Sequence, residues 1–187
     1  MKIPAPLRAF LVAVAVGAAG VAGAFGVAAW RHHRDIPAHA LAPGIAISEQ
    51  LQPDAMALAR GQFGTVIDMR PDGEASGQPG STEMASAAAD QHLQFAYVPV
   101  PHGDIPDAVV DKLSDALAGR PGPVLLYCRS GRRAARSWSL VEASRPGGMD
   151  VEQILTAVLA SGQDASDLRA RLEQRVKARR PVVGAGA

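Results

Sequence analysis

One cysteine, Cys128, stands in 187 residues, so no disulfide can form within the chain and the fold must rest on its core. Aromatic residues are scarce at 4%, which leaves no stacking surface for bases. Charge of one sign is also missing: 19 basic and 18 acidic residues give a net +1, without the basic excess of a nucleic-acid binder. No group of His, Cys, Asp and Glu has metal-ligand spacing; His32 and His33 are adjacent and cannot close a site alone. No glycine-rich nucleotide loop occurs, so neither metal nor cofactor is expected.

One long uncharged run is present, Ala9 to Trp30. As a helix at about 1.5 Å per residue it spans the ~30 Å hydrocarbon layer of a bilayer, with Trp30 at one interface. It is longer than the ~7–15-residue core of a cleaved signal peptide. Lys2 and Arg8 precede it and Arg31 and Arg34 follow, a distribution that favours a cytoplasmic N-terminus and an extracytoplasmic domain. The reading is a short tail (1–8), a single-pass inner-membrane anchor (9–30), a linker (31–43), one domain (44–178) and a disordered tail (179–187).

Within the domain, short apolar runs alternate with helical periodicity. Strands are expected at 44–48, 65–69, 95–100 and 124–127. Helices are expected at 53–60, from 82 to about 92, and at 106–118, 133–143, 151–159 and 165–177. Such alternation predicts an α/β fold with a mostly parallel sheet of four or five strands covered on both faces by helices. The run Val124-Leu125-Leu126-Tyr127 is wholly apolar and belongs at the centre. Ligands sit at the C-terminal ends of the strands in such sheets, and Cys128 lies at one of them.

The stretch Cys128-Arg129-Ser130-Gly131-Arg132-Arg133 then joins a strand to a helix. A thiol at a helix N-terminus is favoured as thiolate by the helix dipole. Successive loop amides make an anion nest, and Gly131 allows the turn. Arg133 can close on a bound anion with its planar fork, whereas Arg132 and Arg136 read as surface residues. These parts suit phosphoryl or sulfur transfer through a covalent cysteine intermediate. The alternative, an inert buried thiol among solvated arginines, leaves the strand–Cys–Gly–Arg arrangement unexplained. A second cluster, Arg70, Asp72 and Glu74, follows another strand on the same edge. It is a candidate for substrate contact or loop support, or equally a Pro-Asp-Gly turn.

From about Ile45 to Arg171 the sequence resembles the phosphatase-like sulfurtransferases related to the N-terminal domain of beta-lactamase-hydrolase-like proteins. The resemblance is carried by Arg70-Pro71-Asp72-Gly73-Glu74, by Gln94 to Val100 and by Val124 to Trp138. It implies a dual-specificity-phosphatase-type fold with Cys128 as nucleophile. A phosphatase of this kind has five residues between Cys and Arg, a position occupied here by Ala134. Cys128 and Arg133 have four between them, the rhodanese spacing. Tyr127 replaces the histidine that phosphatases place before the Cys, and Ala134 stands where the resembled family has Ser or Thr.

The expectation is therefore a sulfurtransferase in which Cys128 takes sulfur from a small anionic donor such as thiosulfate and passes it to a thiol or other nucleophilic acceptor. The alternatives are a phosphatase of the same fold, with Asp104 as general acid and Asp107 and His102 as rivals, and a catalytically weak membrane-tethered anion-binding module. Asp104 also reads as a cap for the helix beginning near Pro106.

Overall fold

The computed structural model describes residues 35–179; the apolar run 9–30 and residues 180–187 lie outside them. Among the described residues no helix is long and apolar enough to cross a membrane.

Five short strands form one sheet: β1 (His39–Ala42), β2 (Ile45–Ser48), β3 (Thr65–Asp68), β4 (Gln94–Tyr97) and β5 (Val124–Tyr127). Their order is β1-β2-β5-β3-β4. All neighbours are parallel except β1 and β2, which are antiparallel. The α/β class, the mostly parallel sheet and the central place of Val124–Tyr127 are as the sequence pattern predicts. The edge strand β1 was not expected: His39–Ala42 falls in the stretch read as linker. Ordered packing starts still earlier, since Ile36 is buried.

Among the described residues six α-helices follow or separate the strands: α1 (Met56–Ala59, led by the 3-10 turn Pro53–Ala55), α2 (Ser81–Asp90), α3 (Asp107–Leu117), α4 (Arg132–Ser144), α5 (Val151–Ala160) and α6 (Arg169–Ala178). Side-chain alternation along β5 divides the core between the two faces of the sheet. Leu125 and Tyr127 pack with Val66 of β3, Met56 of α1 and Met84 of α2. Leu126 and Cys128 point the other way, into a larger core with Leu113 of α3, Trp138 and Leu140 of α4, Ile154 of α5 and Leu172 of α6. Trp138, 1% exposed, fills the centre of this layer. Truncating such a side chain to Ala costs about 3–5 kcal/mol.

Helix ends are set locally. Asp150 caps α5, accepting from Gln153 N at 2.8 Å while the Gln153 side chain accepts from Asp150 N at 3.0 Å. Arg179, expected in a disordered tail, is instead held over the C-terminal end of α4. It donates to the carbonyls of Ala143 (2.8 Å), Gly148 (2.8 Å), Glu142 (3.0 Å) and Met149. A guanidinium there satisfies carbonyls that the end of a helix leaves without partners.

Candidate active site

Cys128 directly follows the central strand and precedes α4, where the parallel sheet delivers its loops. It is 1% exposed. Gly131 makes the turn into α4 with φ 79°, a left-handed conformation that other residues resist. A Cβ there would meet Ile47 Cδ1 at 3.3 Å and Gln163 Nε2 at 3.4 Å, so a side chain would be crowded as well as strained.

The carbonyls of the loop are tied down from outside. Arg129 O accepts from Gln50 N at 3.4 Å, and Ser130 O accepts from Gln163 Nε2 at 3.0 Å. No backbone carbonyl among the described residues accepts from the amides of Arg129, Ser130 and Gly131. Together with the first N–H groups of α4, these amides are free to meet an anion. Neither Gln50 nor Gln163 was expected at the site; they lie far from the loop in sequence and carry no motif.

Arg133 leaves the first turn of α4 and is clamped. Nη1 and Nη2 donate to Oε1 and Oε2 of Glu74, the latter at 2.7 Å, and Nη1 also donates to the Val100 carbonyl at 2.9 Å. The pairing with Glu74, above all, favours the arginine's protonated form against the opposing effect of burial, and Cys128 lies close enough to add to it. Glu74 is 9% exposed and gathers three cationic or protonatable groups: Arg133, Arg70 at 3.0 Å and His102 at 3.1 Å. The Arg133 hydrogen bonds, above all, hold its carboxyl down at about 2. Arg70 is buried and also donates to Gln50 Oε1 at 2.9 Å, so one carboxylate links the cysteine-loop arginine to the backbone brace of that loop.

The rest of the expected cluster separates. Asp72 accepts from Ser81 N at 2.8 Å and Ser81 Oγ at 2.7 Å, fixing the start of α2 rather than facing the cysteine. Asp104 is 88% exposed, accepts from its neighbour Ile105 N at 2.8 Å and pairs with Arg171 of α6 at 3.3 Å. Asp107 pairs with Arg171 and Arg175, which lower its carboxyl. Of that loop's titratable groups it is His102 that lines the cavity above the cysteine loop, beside Arg129, Arg132, Arg133 and Arg136. Arg132, counted in the anion-binding loop although its side chain read as a surface residue, and Arg136, expected at the surface, both line the cavity. Ala134, in the position noted for a missing hydroxyl, is fully buried in the core.

Beneath the site lies Asp68, 1% exposed at the end of β3. Burial lifts its carboxyl to about 6, although it accepts from Arg70 N at 2.9 Å. Tyr127 Oη is buried nearby without a hydrogen bond of normal geometry among the described residues. Burial and then the charge of Asp68 push its hydroxyl above the usual tyrosine range.

A family model described as the phosphatase-like domain of beta-lactamase hydrolase-like proteins matches residues 38–145. A beta-lactamase hydrolase-like protein of Agrobacterium fabrum is 36% identical over 90 residues, 48% of this chain. Those residues span only 21% of that longer relative. A crystal structure of a candidate phosphatase from Neisseria meningitidis is 27% identical, with TM-score 0.64, over 73% of this chain and 96% of that one. P. aeruginosa TpbA, crystallised as a cysteine-to-serine variant with pTyr, is 18% identical with TM-score 0.52, over 77% and 85% of the two chains. At that identity the likeness is one of fold alone. None of these names a sulfurtransferase.

Proposed function

The chain belongs to the family of the phosphatase-like domain of beta-lactamase hydrolase-like proteins, and from that premise we propose that it is a cysteine-dependent phosphatase with Cys128 as phosphoryl acceptor. The observation that carries the reading is that Arg133, clamped by Glu74 in the first turn of the helix that follows Cys128, lines a cavity walled by cationic side chains. Cys128 Sγ, as thiolate, attacks phosphorus; the S–P bond forms as the ester P–O bond breaks. Loop amides and Arg133 hold the three peripheral oxygens, whose charge must be stabilised in the transition state. The leaving oxygen takes a proton from the loop 101–106, where His102 faces the cavity. Water then attacks the phosphocysteine, restoring the thiolate and releasing phosphate.

Glu74 acts through Arg133. With both Nη atoms engaged end-on by one carboxylate, the guanidinium keeps a single orientation, and the ordering cost is met before substrate arrives.

Sulfur transfer remains the second reading, favoured by one observation: only four residues separate Cys128 from Arg133. In that reaction Cys128 thiolate attacks the outer sulfur of thiosulfate, the S–S bond breaks and sulfite departs as an anion, so no acid is needed. The two readings separate in two measurements on the full chain. Release of phosphate from p-nitrophenyl phosphate, lost in Cys128→Ser, supports the phosphatase. A dithiothreitol-reversible gain of one sulfur atom after thiosulfate, without phosphate release, supports the sulfurtransferase. The apolar run 9–30 would tether either enzyme to a membrane, which fractionation of cells expressing the full chain would test.

A further inference from the structure

Four arginines reach the cavity over Cys128, and they are not equivalent. Arg133 is neutralised by the fork of Glu74, and Arg136 by a two-pronged pairing with Asp167. Arg129 and Arg132 are exposed and have no ion-pair partner among the described residues. Asp164 and Asp167 feel the charge of Arg132 at longer range without pairing with it. Nothing acidic lines the cavity. Two uncompensated guanidiniums on one rim are a local excess in a chain whose net charge is +1.

The cavity is also larger than one oxyanion requires. Its volume is about 330 Å³, about ten times the ~30 Å³ that a water molecule occupies in the liquid. The reacting group sits at the floor, against the loop amides and Arg133. Arg129 and Arg132 are exposed while Arg133 is partly enclosed, so the two lie on the open side of the cavity.

We propose that Arg129 and Arg132 form a second anion subsite, and that the substrate is a small polyanion carrying at least one further phosphoryl group beside the one transferred. This rests on the phosphoryl-transfer reading. Each guanidinium presents a planar set of donors matched to phosphate oxygens, and charge-assisted hydrogen bonds of this kind are the stronger ones. A substrate with one phosphate fills the floor and leaves the open side empty; it is therefore a poor substrate.

The test is a calorimetric titration of the full chain carrying Cys128→Ser, which binds without turnover, using inorganic orthophosphate and tripolyphosphate as probes. Tripolyphosphate is expected to bind at least about 10-fold more tightly than orthophosphate, as one charge-assisted contact gives. Adding Arg129→Ala and Arg132→Ala should bring that ratio close to one. Both side chains are exposed, so the variant keeps its fold. A charge-matched control, Arg60→Ala with Lys112→Ala, removes two exposed cations that do not line the cavity and should leave the ratio unchanged. Equal affinity for the two probes, or an equal loss of preference in the control, overturns the proposal. If orthophosphate binds and only the preference is absent, the subsite alone fails. If orthophosphate does not bind at all, the phosphoryl-transfer reading beneath it fails as well.

Discussion

Two loops leave the C-terminal ends of neighbouring parallel strands, each carrying carboxylates, and the protein uses them differently. The loop after β3 encloses Glu74 between Arg70 and Arg133, and its conformation is pinned from both sides. The loop after β4 holds Asp104 in solvent, 88% exposed, paired with Arg171. An exposed pair contributes about 0–1 kcal/mol and fixes little. A buried carboxylate with several cationic donors fixes the orientation of each, because losing one partner leaves a charge without compensation. Proximity to the cysteine in sequence pattern says nothing of this; enclosure decides which carboxylate positions the site and which merely borders it.

Four outcomes would sharpen or break that contrast. The largest effect is expected at the shared target of the first loop: Cys128→Ser should reduce turnover to background, read as phosphate release. Glu74→Ala should lower kcat/KM by about 100-fold, the scale of a misplaced catalytic group, with the thermal midpoint changed much less than in Trp138→Ala. Partial rescue by Glu74→Gln, which keeps the acceptor on one side, would mark a positioning role. Trp138→Ala, by contrast, should lose about 3–5 kcal/mol of stability in urea titration. Asp104→Asn should be the mildest: turnover within about threefold of the parent, as for an exposed ion pair. A loss as large as that of Glu74→Ala would show that Asp104, rather than His102 beside it, supplies the proton and would reverse the comparison.

Two carboxylates near the site, one buried and one held in ion pairs, give opposite pH signatures. Glu74 is held down at about 2 by Arg133, so the stability it contributes is present above its ordinary value of 4.5 and is lost only as pH falls toward 2. Asp68 is raised by burial from 3.8 to about 6, so the folded state binds the extra proton and stability falls as pH rises across that window. The difference of roughly two pH units corresponds to at most about 3 kcal/mol. Asp68→Asn should flatten the stability curve between about pH 4 and 6; an unaltered slope would remove Asp68 from the account.

Much of this was legible in the sequence. The apolar run 124–127 ends at Cys128 and is followed by Gly131 and Arg133, and its context forces a strand, a tight turn and a helix. The cluster Arg70–Glu74 was visible as a cluster, although not that Arg70 and Glu74 would turn inward while Asp72 fixed the start of α2. The edge strand His39–Ala42 was not legible, because four residues with two exposed show no period and pair with β2 only after a tight turn at Gly44. Gln50, Gln163 and the Val100 carbonyl were invisible for a different reason. They act through single long-range hydrogen bonds, and an amide side chain or a backbone oxygen has no sequence signature. Asp104 read plausibly as an acid because position in a loop does not reveal which neighbour, here Arg171, will claim the carboxylate.

The most direct measurement is the rate of phosphate release by the full chain and its Cys128→Ser variant, with p-nitrophenyl phosphate and a doubly phosphorylated ester side by side. The account predicts release from both, faster from the second, and none from either in the variant. A rate that survives Cys128→Ser would contradict it.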